Sequence, residues 1–147
     1  MRALGVDLGT KRIGIAVSDS EGSVATPVDV VERSKDRART HRAIAELVDE
    51  WEAEIVVIGM PYQLSGEVGP AALAAQEEAE QLRATLRVPV ETYDERLTTV
   101  TAQRSIVEMK MRPEARRRVV DQIAAAVMLQ AWLDRRRSAA DPEEPLP

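Results

Sequence analysis

The sequence predicts an α/β protein on a five-stranded mixed sheet, an antiparallel three-strand meander extended by two parallel strands and flanked by helices. Three observations lead there. The opening segment, up to Val30, holds three strand-like runs joined by turns too short for a crossover, and neighbours joined that way run antiparallel. Beyond it, short apolar runs alternate with stretches of helical period, the pattern of parallel strands with crossover helices. A last helix carries an apolar surface so broad that it must be largely buried.

The elements follow in order. Arg2–Leu8 is an apolar run ending in Asp7-Leu8-Gly9-Thr10, a strand entering a tight turn. Ile13, Ile15 and Val17 alternate with smaller residues in a second strand. Asp19-Ser20-Glu21-Gly22 is turn chemistry. Val24, Thr26, Val28 and Val30 share one parity in a third strand, and Pro27, which lacks an amide donor, puts that strand at the sheet edge. The period then changes: Ile44, Leu47, Val48 and Trp51 are spaced for a helix. Glu54–Gly59 is a continuous apolar run suited to a buried parallel strand. After a loop through Gly69, Pro70 opens an alanine-rich helix to Leu86. Val88–Tyr93 is the fifth strand, followed by a short helix from Thr99 to Lys110. Pro113 and Glu114 start the final helix, whose apolar positions are Val119, Val120, Ile123, Ala124, Val127, Met128 and Ala131. One domain is expected over 1–137, with a disordered Pro/Glu-rich tail over 138–147. Gly9, Gly14, Gly59 and Gly66 stand where tight turns or close backbone approach are expected.

Composition narrows the chemistry. The chain has 147 residues, no cysteine, one histidine and a net charge of −5. Disulfides, thiolate zinc sites and cysteine nucleophiles are excluded, and His41 alone makes no multi-histidine metal site. No apolar run approaches the roughly 18 residues of a membrane span, and a charge at Arg2 interrupts any signal-type segment, so a cytoplasmic protein without membrane contact is expected. The acidic middle, from Glu46 to Glu54 and from Glu77 to Glu80, reads as solvated helical faces, with His41 a surface residue on one of them. The later part is basic, and a local basic patch supplies phosphate contacts even when the net charge is negative. Few aromatics argue against a base-stacking platform for single strands.

Three acidic positions stand where acids are expensive: Asp7 at the end of an apolar strand, Asp94-Glu95 at the end of the fifth, and Asp121 inside the apolar final helix. Each has a structural alternative: a cap for the Gly9-Thr10 turn, a turn start, or a pair with Arg117 or Arg118. With the first strand central, however, the carboxyl ends of strands one, four and five open on one side, where ligands of such sheets bind. Clustered carboxylates repel unless a hard cation offsets them, and oxygen-only donors point to Mg²⁺ or Mn²⁺. Two such ions, roughly 3.5–4 Å apart, support in-line attack of water on a phosphodiester.

Gly5–Val17, Gly59-Met60-Pro61 with Ser65-Gly66-Glu67, Asp94–Thr99 and Val120–Ala125 continuing to Leu129-Gln130 closely resemble, in order and spacing, the motifs of the YqgF/RuvX family of pre-16S rRNA nucleases. The resemblance spans about residues 3 to 134. It implies an RNase H-like fold related to the RuvC-type Holliday junction resolvases, and puts the catalytic, metal-holding acids at Asp7, Glu95 and Asp121. Strand parity sets Asp94 and Glu95 on opposite faces, and the resemblance favours Glu95. Tyr62-Gln63-Leu64-Ser65 departs from relatives, which often carry an Asn-Met-Asp type sequence there.

On this reading Thr10, Lys11 and Arg12 hold a phosphate, a plain hairpin turn being the alternative. Arg96 meets the scissile strand or pairs with Asp94, and Arg116, Arg117 and Arg118 steer a phosphate backbone. The expected function is metal-dependent phosphodiester hydrolysis in 5′-end maturation of precursor 16S rRNA, with nucleic acid as partner, a ribosomal association, and a monomeric or homodimeric chain. Two alternatives stand beside it: a junction-cleaving DNA endonuclease, which wants a homodimer, and a ribosome- or transcription-associated binding factor with little catalysis. The Asp-Leu-Gly-Thr turn also resembles the first phosphate loop of actin-like and sugar-kinase ATPases, but those hold ATP between two copies of the fold, and there is no Walker A sequence.

Overall fold

The computed structural model describes residues 1–63, 65–97 and 113–140, with side chains over 119–139 of the last stretch. Five strands, β1 (Ala3–Leu8), β2 (Arg12–Ser18), β3 (Ala25–Glu32), β4 (Ile55–Met60) and β5 (Val90–Asp94), form one sheet in the order β3-β2-β1-β4-β5. β1 is antiparallel to β2 and parallel to β4, which is parallel to β5, so the mixed topology expected from the turn lengths is the observed one. β3 lies at the edge, and the register shifts where Ala16 meets Pro27, the residue that cannot donate to the ladder. The Asp19 carboxylate builds the β2–β3 turn by accepting the Ser23 and Val24 amides at 2.6 and 3.1 Å.

Two helices cover one face. α1 (Arg37–Glu50) begins at Asp36, whose carboxylate accepts the Ala38 amide at 3.0 Å, and α2 (Pro70–Thr85) begins with Pro70. Against them the sheet turns Leu4, Val6, Ile13, Ile15, Val56 and Ile58. The other face carries α3 (Pro113–Ala140) over Ala3, Ala16, Ile55, Val57 and Tyr93. β1, β2 and β4 thus feed both cores with alternate residues and are covered on both sides.

Several boundaries differ from those expected. β5 starts at Val90 rather than Val88, because Pro89 precedes it and contributes only its carbonyl, which accepts the Val56 amide at 2.9 Å. α3 continues through Ala140, so Ser138–Ala140 belong to the helix and not to a tail; 141–147 lie outside the described residues. Its buried stripe is Val120, Ala124, Ala125, Met128, Leu129, Trp132 and Leu133, while Val119, Ile123, Val127 and Ala131 are half-buried on its flanks. The short helix expected over Thr99–Lys110 lies outside the described residues.

α3 is fastened to the edge of the sheet as well as to its face. Gln130 accepts the Ala25 amide at 2.8 Å and donates to the Ser23 carbonyl at 2.9 Å, closing the start of β3. Among the described residues no helix is long and apolar enough to cross a membrane.

Candidate active site

Strand alternation decides which face each acid joins. Leu4 and Val6 of β1 point to the α1/α2 core and Ala3 to the α3 core, so Asp7 faces α3, where it is 5% exposed. By the same parity Gly14 of β2 and Gly59 of β4 face α3, since Ala16 and Val57 do. Asp7 pairs with Gly14 in the β1–β2 ladder, and Gly59 lies one step past the Val6–Ile58 pair of the β1–β4 ladder. Gly14, Asp7 and Gly59 therefore form a row across three adjacent strands, at the carboxyl ends of β1 and β4.

Each glycine lets another element come close, Gly14 the backbone of α3 and Gly59 the side chain of Glu95. A Cβ on Gly14 would lie 1.9 Å from the backbone carbonyl oxygen of Asp121, so the α3 backbone reaches β2 at that point only because the side chain is missing. A Cβ on Gly59 would lie 2.6 Å from Glu95 Oε1. Glu95 opens the single 3₁₀ turn Glu95–Leu97 after β5, and its carboxylate bends back over β4. The structure thus brings the Glu95 carboxylate and the backbone of Asp121 against the row that holds Asp7, with Asp7 buried and the other two residues half-buried. They do not form a closed cage: among the described residues no three His, Cys, Asp or Glu side chains are gathered tightly enough to hold a metal ion.

Asp94 is on the other face. Its carboxylate accepts Arg96 Nε at 3.0 Å and Nη2 at 2.5 Å, together with the Arg96 backbone amide at 2.9 Å. The Arg96 side-chain hydrogen bonds hold the Asp94 carboxyl below the usual carboxylate range. The guanidinium also lies 5.6 Å from the centre of the Tyr62 ring, tying the end of β5 to the loop after β4. Arg96 therefore takes the Asp94 pairing, one of the two options open from the sequence.

The turn after β1 exposes Thr10 and Lys11. Arg12 is directed at β3, its Nε 3.4 Å from Glu32 Oε1. Arg116, Arg117 and Arg118 fall in the first turns of α3, and their side chains lie outside the described residues, as do Leu64, Thr98 and Thr99.

One polar cluster escaped the sequence reading, and two expectations are corrected by it. His41 is not a surface residue and Glu78 is not a solvated one: they are 4% and 3% exposed, with His41 Nε2 donating to Glu78 Oε2 at 2.8 Å. Arg33 grips the same carboxylate through Nη1 at 3.0 Å and Nη2 at 2.7 Å. Burial alone would push the Glu78 carboxyl up, but the hydrogen bonds from Arg33 and His41 and the charges of Arg33 and Arg37 outweigh it and hold the group below its ordinary value. The missed signal was positional. Glu78 stands three residues after Ala75 and four before Leu82, on the buried stripe of α2, and His41 stands three before Ile44 on that of α1.

Comparison with known proteins supplies the context. The family model described as "RuvX: Holliday junction resolvase" matches residues 1–135. A protein of Mycobacterium sp. (strain KMS) named "Putative pre-16S rRNA nuclease" is 49% identical over 139 residues, covering 94% of this chain and 82% of its own. A protein of the same name from Rhodococcus opacus (strain B4) is 48% identical, covering 92% and 78%. Among solved structures, Thermus thermophilus RuvC superposes with a TM-score of 0.57 at 20% identity, covering 94% of this chain and 97% of RuvC. RuvC of the same organism in complex with a Holliday junction substrate gives 0.55 at 22% identity, covering 93% and 96%. At these identities the likeness to RuvC establishes the fold, which is RNase H-like.

Proposed function

The chain belongs to the RuvX family, and from that membership and the acid row we propose that it is a metal-dependent nuclease acting in 5′-end maturation of precursor 16S rRNA. The observation that carries the reading is the row itself. Two neighbours of Asp7 on the α3 face are glycines, and each leaves space that another acidic residue fills. A protein that only bound nucleic acid would gain nothing from a buried Asp7 flanked by glycines that admit Glu95 and the Asp121 segment of α3.

The donor set fits Mg²⁺ or Mn²⁺: carboxylate oxygens, with the one histidine engaged elsewhere at Glu78. Asp7, Glu95 and Asp121 would hold the ions, two in the usual arrangement for this chemistry. When bound, such ions lower the pKa of a water and stabilise the leaving oxygen. The protein's own contribution is positional. Asp7 is fixed by the central strand, Glu95 by the turn that folds it over Gly59, and Asp121 by the seat of α3 on Gly14. Thr10 and Lys11, exposed beside Asp7, would meet a phosphate of the substrate, and Arg117 and Arg118, one helical turn before Asp121, would steer its backbone. Arg12 contributes through its cross-strand contact with Glu32 of β3, and Arg96 through the turn after β5 that it braces.

The test uses the full chain with Mg²⁺ or Mn²⁺, a 5′-extended 16S precursor RNA and a four-way DNA junction, with Asp7→Asn in parallel. Shortening of the RNA that is lost with chelator and with Asp7→Asn is the expected result. Cleavage that survives Asp7→Asn would sink the acid-site model, preferential cutting of the junction would move the substrate to branched DNA, and tight RNA binding without cleavage would leave a binding factor.

A further inference from the structure

Arg33 ends a buried polar chain that starts far from the acids. On α1, His41 donates to Glu78 of α2, and Glu78 takes both terminal nitrogens of Arg33. The remaining guanidinium nitrogen, Nε, donates to the Gly9 carbonyl at 2.7 Å, and the Arg33 backbone amide donates to the Lys11 carbonyl at 3.0 Å. One residue therefore holds the turn after β1 at two carbonyls. The Gly9 amide in turn donates to the Asp7 carbonyl at 3.1 Å, so the gripped turn is continuous with the end of β1 that carries Asp7.

The guanidinium is a rigid planar fork, and with two of its nitrogens fixed on a carboxylate the direction of the third is set. The carboxylate is itself held from α1, by His41 and by Arg37 with its Nε 3.9 Å away. A buried ion pair adds little net stability compared with apolar side chains of the same volume, because desolvation offsets the attraction. What this one delivers, and apolar residues would not, is a donor aimed at a backbone carbonyl two residues from Asp7.

We infer that Arg33 is a positioning residue for phosphodiester hydrolysis: locked by Glu78 and His41, it sets the Gly9–Lys11 turn and through it the placement of Asp7. The inference rests on the proposed role of Asp7. Arg33 acts through that residue, its guanidinium being committed to Glu78 and to the Gly9 carbonyl.

Arg33→Lys keeps the charge but loses the fork, so it cannot bind Glu78 twice and Gly9 at once. With the full chain and whichever of the two nucleic acids is cut, kcat is expected to fall about tenfold or more, KM to stay within about twofold, and the half-saturating Mg²⁺ concentration to rise. The double variant Arg33→Met/Glu78→Gln removes both charges, so Tm recovers relative to Arg33→Met alone while activity does not. Activity that recovers with Tm, or Arg33→Lys with unaltered kcat and Mg²⁺ dependence, would overturn the inference. A third readout is independent of cleavage: the amide resonances of Thr10 and Lys11 shift in Arg33→Lys, and unchanged resonances defeat the grip itself. Asp7→Asn that cuts normally, or a chain that cuts neither substrate, counts against the nuclease reading, and the resonances then still decide whether Arg33 sets the turn.

Discussion

Gly59 sits beneath the Glu95 carboxylate, so close that a methyl group on its Cα would come within 2.6 Å of Oε1. The absence of a side chain in β4 is thus what lets an acid borne by the turn after β5 fold back over the sheet toward Asp7. Gly59→Ala should displace the end of a flexible side chain and no backbone. Its Tm should remain near that of the parent, while Mg²⁺-dependent cleavage drops by about tenfold. Equal activity in steady-state assays would show that Glu95 does not need that seat.

Gly14 meets a harder obstacle. Its added Cβ would strike the backbone carbonyl of Asp121 at 1.9 Å, and a helix backbone moves less readily than a carboxylate. Gly14→Ala should therefore cost about 1–3 kcal/mol of stability, read as a lowered urea midpoint, and should also shift Asp121 away from the row.

Asp94 and Glu95 are adjacent in sequence and lie in different surroundings, Asp94 on the Arg96 guanidinium and Glu95 over Gly59, and the proposed site takes only Glu95. Glu95→Gln should reduce cleavage on the order of 10²-fold, as expected when a group serving the transition state is lost. Asp94→Asn weakens only the pairing with Arg96 and should leave kcat within a few-fold, loosening the contact with Tyr62 instead. Comparable losses from both would place Asp94 in the site after all.

Glu78 ties acid stability to the buried cluster. Its folded carboxyl is more acidic than its ordinary value of 4.5, so the unfolded chain binds the proton more readily. The stability this supplies is present in full above that ordinary value and is lost as pH falls through the folded one. Urea midpoints of the parent should decline as pH drops below about 4.5. Glu78→Gln should be less stable at neutral pH and show a flatter decline.

Much of this architecture is legible in the residues. The brevity of the turns around Thr10 and Gly22 admits only a meander, and Pro27 marks its edge. Asp7 and Asp121 betray themselves as charges within apolar runs, and the glycines at 14 and 59 as gaps within strands. The cluster of His41, Glu78 and Arg33 was hidden because its partners are 37 and 45 residues apart, and Glu78 is surrounded in sequence by exposed Glu77 and Glu80. A local charge run looks solvated whichever of its members turns inward, and only the helical phase of Ala75, Glu78 and Leu82 separates them. β5 starts two residues later than its apolar run for a related reason: Val88 is buried like a strand residue yet precedes the ladder.

α3 follows the five strands in the chain and covers the face of the sheet that carries Ala3, Ala16 and Val57. On a translating ribosome the strands therefore emerge with Ala3, Ala16, Ile55, Val57 and Tyr93 still uncovered, and Asp7 waits for Asp121 until that helix has docked. On the proposed site, a nascent or truncated chain lacking α3 has two of the three acids and an open apolar face. For a protein whose proposed substrate is a precursor of the machinery that makes it, the docking of α3 would then be the step that completes the proposed site.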